Sequence, residues 1–440
     1  MLLAVGLVGC PSDDPPPAVP EAGTEAGPKD APFVDIDFGS LRYFCDLPGS
    51  LQFTANGVVA VPGGVGTQGV EFLTLPKGYC AHFYGNVGNT RQLRFAPGGE
   101  LFVASPTKAT TGGGSGGLSS IVVLPDDDRD GVADKVVSFL AGLPATQGLL
   151  FTKEGSYFYY QDDTKILRMP YTPGNRAPSG TSEEVANVTI YTSSLHWPKT
   201  LDESDDGTIY VANGDDENNN CQPMHPFRGG ILKLDGTPGG TPVAKGFRNP
   251  IALRCQRGHN LCFAVELSRD YSAAEGGREK VVPVRAGDDW GYPCCATKDL
   301  PYAEITPTPD CAQVAPENVS FLIGDTPFGV DFERGKWAAP YTGSAFVPLH
   351  GVVGTWTGAR VVAVEVDPTT GLLRSGSTVD GGASTGAMTD FATGWDDGSR
   401  AFGRPSSIEF APDGRMFIGN DNDGTILWIA PLTLERPASH

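Results

Sequence analysis

An alternating apolar strand, a glycine-bearing turn and a second strand rich in aromatic and β-branched residues recur about six times along the chain. The clearest copies are LRFAPGGELFVAS from Leu93, GLLFTKEGSYFYY from Gly148, KTLDESDDGTIYVAN from Lys199, IALRCQRGHNLCFAV from Ile251 and SIEFAPDGRMFIGN from Ser407. A sixth lies near FGVDFERGKWAAPYTGSAFVPL, from Phe328. Further strands such as GGILKLD and ARVVAVEVD fall between copies, so each unit can supply a four-stranded sheet. Helical periodicity is nearly absent; its best stretch is DKVVSFLAGL, too short to make a layer. The pattern predicts an all-β fold, a six-bladed β-propeller over residues 33–435. Its strand edges are protected by radial repetition, and its loops gather around a central channel.

Composition agrees with a large, turn-rich globular unit. The 440 residues include 58 Gly and 37 Pro, with 40% hydrophobic and 19% charged. That is too apolar for a disordered polymer, and one large β unit can absorb a length that otherwise suggests three domains of about 150 residues. The net charge of −20 repels phosphate backbones and excludes nucleic acid as a partner class. It leaves room for a small anionic ligand where a few arginines converge. The glycine run at 112–117 lacks the GK[ST] ending of a phosphate loop and reads as a surface insertion.

The start of the chain carries an export signal. MLLAVGLVGC is an apolar run ending at Cys10, and Leu7-Val8-Gly9-Cys10 resembles a bacterial lipobox, although no Lys or Arg precedes it. Residues 1–10 are therefore expected to be a signal peptide, with a lipid anchor at Cys10 as the chain's link to a membrane. Residues 11–32 hold seven prolines and no aromatic residue and should form an extended tether. The expected location is the periplasm or cell surface of a bacterium. Eight further cysteines suit four disulfides in an oxidising compartment. Cys255 and Cys262 flank a hairpin turn and should pair, whereas adjacent Cys294 and Cys295 should bond to different partners. Zinc is the alternative, but no CxxC occurs; the haem signature CxxCH is absent too, so electrons would leave to a separate acceptor.

Several motifs carry chemistry. In DDDRDGVAD, Asp126, Asp128, Asp130 and Asp134 are spaced to converge on a hard cation, with Gly131 allowing the turn. Calcium fits; a solvated acidic turn is the plain alternative. His196, beside Trp197, sits at the entrance to a blade strand, where a neutral imidazole can act as a general base. Arg248 and Asn249 precede Pro250 at the next blade. VELSRD, GDDWGYPCC, the LHG at 349–351 and GRPSSIEF with Arg404 occupy comparable places. In a propeller such entrances surround one channel mouth, so these polar residues are expected to converge.

The ordered set LPKGYC, NTRQLRFAPGGELFVA, LPDDDRDGVADK, GLPATQGLLF, LHWPKTL, GFRNPIAL, GDDWGYP, FVPLHG and GRPSSIEFAPDG resembles the soluble quinoprotein glucose and sorbosone dehydrogenases. Those enzymes use pyrroloquinoline quinone (PQQ) on a six-bladed propeller, and the resemblance spans most of residues 70–432. It implies that His196 takes a proton from the substrate hydroxyl, with Arg248 and Asn249 holding the quinone oxygens. It implies Arg91, Gln92 and Arg404 as partners of the cofactor carboxylates, and His350 at a position where relatives carry a basic residue. It aligns the backbone carbonyls of Ser268 and Arg269 with a stretch that helps hold a calcium ion against the cofactor. Gln147-Gly148 replaces a common His-Gly, and VVGTWTG follows LHG in place of a GSWNR-like text. Trp197, Trp290 and Trp356 are available to cap a sugar ring or to fill the core.

The implied activity is oxidation of a sugar or related polyol aldehyde with PQQ and calcium, and reoxidation by a quinone or cytochrome. Two other readings stay open. One is a propeller that binds carbohydrate or protein at the cell surface without a cofactor. The other is a calcium-dependent hydrolase or lactonase, which needs side-chain carboxylates at the channel centre.

Overall fold

The computed structural model describes residues 41–64, 69–107, 116–188, 196–215, 220–222, 227–270, 276–379, 382–399 and 401–437. The expected signal peptide, lipid anchor and tether lie outside these residues, as does most of the glycine run.

Six blades, each built on four antiparallel strands, make up the described fold, and two of their sheets carry two more strands, Gly376–Thr378 and Ser384–Gly386 in blade 4 and Leu51–Thr54 and Gly57–Ala60 in blade 6. Blade 1 runs Leu93–Phe95, Leu101–Ala104, Ile121–Leu124, Val137–Leu140, and blade 2 runs Leu149–Phe151, Tyr157–Asp162, Lys165–Pro170, Glu183–Asn187. Blade 3 runs Leu201–Glu203, Ile209–Asn213, Gly230–Lys233, Thr241–Lys245. Blade 4 begins with Asn249–Gln256, Leu261–Leu267, Arg278–Pro283 and Val319–Leu322, then adds Gly376–Thr378 in parallel and Ser384–Gly386. Blade 5 runs Asp331–Phe332, Ala345–Leu349, Arg360–Val364, Met388–Ala392. Blade 6 takes Pro405–Phe410, Met416–Asn420 and Thr425–Pro431 from the C-terminal end, and its fourth strand, Tyr79–Asn86, from the N-terminal side. The first strand of each blade touches that of the next, and blade 6 touches blade 1, so the ring closes on a six-bladed β-propeller. Each repeat read from the sequence is the inner hairpin of one blade.

Those hairpins turn on glycines at φ between 70° and 101° (Gly99, Gly155, Gly207, Gly258 and Gly414), a conformation that residues with a Cβ rarely adopt. Both faces of the strands are apolar because each blade is covered by two neighbours. Leu101 and Val103 pack toward blade 6, whereas Phe102 and Ala104 pack toward blade 2. The main cores are accordingly six clusters, one at each blade junction.

Within the stretch of best helical periodicity, Val137–Leu140 is a strand that closes the outer edge of blade 1 by pairing with Ile121–Leu124. Among the described residues the one helical element in the strand order is a short 3-10 turn, Phe44–Asp46. Cys255 pairs with Cys262, Cys45 with Cys80, Cys221 with Cys294 and Cys295 with Cys311. Adjacent Cys294 and Cys295 thus serve different partners, and none of these eight thiols remains to bind zinc.

Candidate functional site

The first strands of all blades run in one sense along the channel, so the residues just before them collect at one end. Arg91 and Gln92 precede the first strand of blade 1, Gln147 and Gly148 that of blade 2, and Lys199 that of blade 3. Arg248 precedes blade 4, whose first strand opens with Asn249, and Arg404 precedes blade 6. Gly148 is dictated by this crowding: a Cβ there would lie 1.9 Å from the Lys199 carbonyl oxygen.

His196 and Arg248 meet around Gly214, where a Cβ would lie 2.4 Å from the His196 Cβ and 3.3 Å from the Arg248 carbonyl oxygen. His196 Nδ1 donates to the Asp215 carbonyl oxygen at 2.5 Å, which places the ring's lone pair on Nε2. Burial, with the Arg248 charge and then Lys199 adding to it, lowers the His196 pKa to about 3, so the imidazole is neutral at physiological pH. The Tyr292 hydroxyl donates to Asp215 Oδ2 at 3.1 Å. Glu266 accepts the Arg248 backbone N–H at 2.8 Å and is pushed by burial up to about 7.

On the other side of the mouth, buried Asp421 accepts from Arg91 Nη1 at 3.1 Å and from Arg404 Nε. His350 Nε2 lies 3.8 Å from the same carboxylate, beyond hydrogen-bond reach. Burial, then Arg404 and Arg91, push the His350 pKa well below its ordinary value. Its ring stacks on Phe328 with centroids 3.8 Å apart. The Arg404 guanidinium covers Trp356 at 4.3 Å, and Arg91 faces both Phe328 at 5.6 Å and Trp197 at 5.7 Å. Arg91 therefore links the His196–Trp197 side to the Asp421 side, and the expected residues form one constellation. Trp197 and Trp356 belong to it; Trp290 does not, being packed in the core between blades 3 and 4.

The Ser268 carbonyl, aligned with a calcium ligand, accepts from Arg248 Nη1 at 3.0 Å, and Arg248 Nη2 also engages Asp270. The Arg269 guanidinium binds Glu304 and Asn220 and lies over Tyr302. A guanidinium thus takes the oxygen expected to face a cation. In the acidic loop, ligand atoms of Asp126, Asp128 and Asp130 come within 4.8 Å of one another. Asp134 stands apart from this group, its Oδ2 accepting the Asp127 N–H at 2.6 Å.

Asp421 and Asp215 lie outside the motifs that the sequence singles out, whereas Glu266 and Tyr292 lie within VELSRD and GDDWGYPCC without an individual role there. The signal of the first two is positional: Asp421 directly follows the strand Met416–Asn420, and Asp215 closely follows Ile209–Asn213, both at the mouth end.

Deeper in the channel, inner strands of five blades bring together Arg94, Asp202, Arg254, Asp331 and Glu409, all buried. Arg254 reaches Asp331 at 2.6 Å and Glu409 at 2.9 Å; Arg94 reaches Glu409 at 3.0 Å. The central carboxylates that a metal-dependent hydrolase needs are present but are held by arginines.

The donors at the mouth suit an oxygen-rich anion. Arg91 Nε, Arg248 Nε and His350 Nε2 are buried with no hydrogen-bond partner among the described residues. Gln92 commits its carbonyl to the Leu149 N–H at 2.9 Å, which leaves its NH2 as a donor. These groups fit the three carboxylates and the ortho-quinone of PQQ.

A domain of unknown function, DUF7133, matches residues 85–243. No curated protein matches the chain. Among solved structures, a Trichoderma reesei carbohydrate-active enzyme of family AA12 superposes with a TM-score of 0.67 at 17% identity, covering 82% of this chain and 97% of that one. The PQQ domain of a Coprinopsis cinerea pyranose dehydrogenase gives 0.64 at 14%, covering 81% and 96%. The soluble aldose sugar dehydrogenase of Escherichia coli gives 0.55 at 12%, covering 80% and 99%. At these identities the likeness is one of fold.

Proposed function

We propose that this chain is a PQQ-dependent sugar dehydrogenase of the aldose or sorbosone type. The observation that carries the reading is the gathering of His196, Arg248, Arg91, His350 and Arg404 at one mouth with buried donors left over. Arg91, the Gln92 amide, His350 and Arg404 would hold the cofactor carboxylates, and Arg248 with Asn249 the quinone oxygens. Bound PQQ would supply the two-electron acceptor for a hydride leaving the substrate carbon. Neutral His196 receives the hydroxyl proton at Nε2, and the Asp215 carbonyl, accepting from Nδ1, stabilises the resulting imidazolium. Glu266 fixes the backbone that aims Arg248. Calcium is assigned to Asp126, Asp128 and Asp130 as a structural ion; Ser268 and Arg269 would serve a cofactor-bridging ion only if Arg248 released the Ser268 carbonyl. Export, lipid anchoring at Cys10 and a separate quinone or cytochrome acceptor complete the reading.

One observation favours a second reading. Asp421 already neutralises Arg91 and Arg404, as expected of a non-catalytic propeller that binds carbohydrate or protein at the cell surface. The experiment that separates them adds PQQ and calcium to purified protein, records absorbance after gel filtration, and follows reduction of an artificial acceptor across a panel of aldoses. Retained cofactor absorbance with aldose-dependent reduction supports the dehydrogenase; no retained absorbance supports the binding module.

A further inference from the structure

At the other end of the channel lies a cavity of about 380 Å³ that the reading of the mouth does not use. The first strand of blade 4 connects the two: Asn249 opens it at the mouth and Gln256 ends it in this cavity, ~23 Å away at the usual rise per residue. The cavity contains three acids and three arginines, but their commitments differ. Asp202 accepts the Cys255 N–H at 2.8 Å and the Glu203 N–H at 3.0 Å. Asp331 accepts Arg254 Nε at 2.6 Å and the backbone N–H groups of Phe332 and Phe410 at 2.8 and 2.6 Å. Glu333 is taken by the backbone N–H groups of Gly335, Lys336, Trp337 and Gly343. Arg254 is spent on Asp331 and Glu409.

The hydrogen-bonding capacity that remains belongs to basic side chains and one amide. Arg334 comes no closer than 3.7 Å to Asp331 and 3.6 Å to Glu409, outside hydrogen-bond reach. Arg257 and His259 make no hydrogen bond among the described residues. Gln256 Oε1 is a buried acceptor without a donor, on a side chain whose residue is only 8% exposed. Gly371, at φ 71°, lets the backbone close behind this group: a Cβ there would lie 2.5 Å from His259 Cγ and 2.8 Å from Gln256 Oε1.

We infer that this cavity is a second binding site, for a small hydroxylated carboxylate of the sugar-acid class. Two guanidiniums with no hydrogen bond to a side chain among the described residues, Arg257 near Glu203 and Arg334 at 3.6–3.7 Å from Glu409 and Asp331, call for a carboxylate that meets them at closer range. The buried Gln256 carbonyl calls for a hydroxyl on the same molecule, since a bare anion such as sulfate has no proton to give it. The volume suits a single monosaccharide-sized ligand. The inference holds whichever way the mouth is read.

The test is calorimetric titration of the full chain with sodium gluconate, beside sodium sulfate and glucose. Gluconate should bind, with sulfate and glucose about tenfold weaker or more. Arg334→Ala and Arg257→Ala, both at the rim, should each weaken gluconate by about tenfold. Gln256→Leu should weaken gluconate but leave sulfate unchanged, and His196→Ala should leave gluconate binding intact. Absence of gluconate binding overturns the inference. Equal binding of sulfate reduces the site to an unselective anion trap. Loss in His196→Ala with retention in Arg334→Ala places the ligand at the mouth instead.

Discussion

Asp421 joins Arg91 to Arg404: one buried carboxylate accepts from Arg91 Nη1 at 3.1 Å and from Arg404 Nε, tying the entrance of blade 1 to that of blade 6 at the seam where the ring closes. Removing one partner of a buried ion pair leaves the others charged and desolvated, a loss of about 3–5 kcal/mol. Asp421→Asn should therefore lower stability by that order in chemical denaturation. It should also tighten PQQ uptake, because two guanidiniums lose their internal acceptor. A binding propeller without a cofactor would show the first effect and not the second.

His196 gives a sharper pH signature. Its folded pKa, about 3, lies below the 6.5 of an unperturbed histidine, so the neutral ring contributes stability that is present above pH 6.5 and is lost as pH falls toward 3. Across the neutral range it has no proton to shed before acting as a base. An NMR titration should show His196 silent between about pH 5 and 8, where exposed histidines move. His196→Ala should retain the cofactor but lose about 10²–10⁴-fold in turnover. Full activity in that variant removes the proposed base.

The acidic loop behaves oppositely. Burial, against the pull of Arg415 and with Asp130 and Asp128 adding repulsion, raises Asp126 to about 6. Without metal the folded loop keeps a proton that the unfolded chain releases near pH 3.8. This group thus favours folding most below pH 3.8 and loses that contribution as pH rises through 6. Calcium must displace the proton. Uptake measured by calorimetry should be about tenfold weaker at pH 5 than above pH 7 and should vanish in Asp128→Asn. Equal uptake at both pH values would detach the ion from Asp126.

How far the sequence leads is clearest at the hairpins. LRFAPGGELFVAS reads as two strands and a turn because alternation, Gly99 and β-branched residues agree locally, and the same holds for the other five copies. The closing strand Tyr79–Asn86 carries no comparable mark, because its partner, Thr425–Pro431, lies more than 300 residues away. DKVVSFLAGL, too short to count as a helical layer, supplies the strand Val137–Leu140, which its own periodicity does not announce. At the mouth, His196, Arg248 and Arg404 were legible as residues at blade entrances, and Arg91 through the family resemblance alone. Asp421 was not, and Glu266 was legible only as part of VELSRD and not as the acceptor of the Arg248 N–H, since a buried acid looks in sequence like any surface carboxylate. Ser268 shows the limit of alignment: its carbonyl is where the resemblance puts it, but its partner is Arg248.

The channel's interior was the least legible part, because Arg94, Asp202, Arg254, Asp331 and Glu409 come from five blades and form no local motif. Arg254 is the hub: it contacts Asp331 at 2.6 Å, Glu409 at 2.9 Å and Asp202 at 3.7 Å, with its side chain only 8% exposed. Its loss strands three carboxylates around the axis, where Arg94 and Arg334 cannot satisfy all of them. Arg254→Ala should therefore cost about 3–5 kcal/mol in denaturant unfolding. High salt should reduce the effect only in part, since these side chains line the far cavity but are almost wholly buried. A cost below 1 kcal/mol, or one abolished by salt, would mean that water enters the channel and that its two ends are continuous.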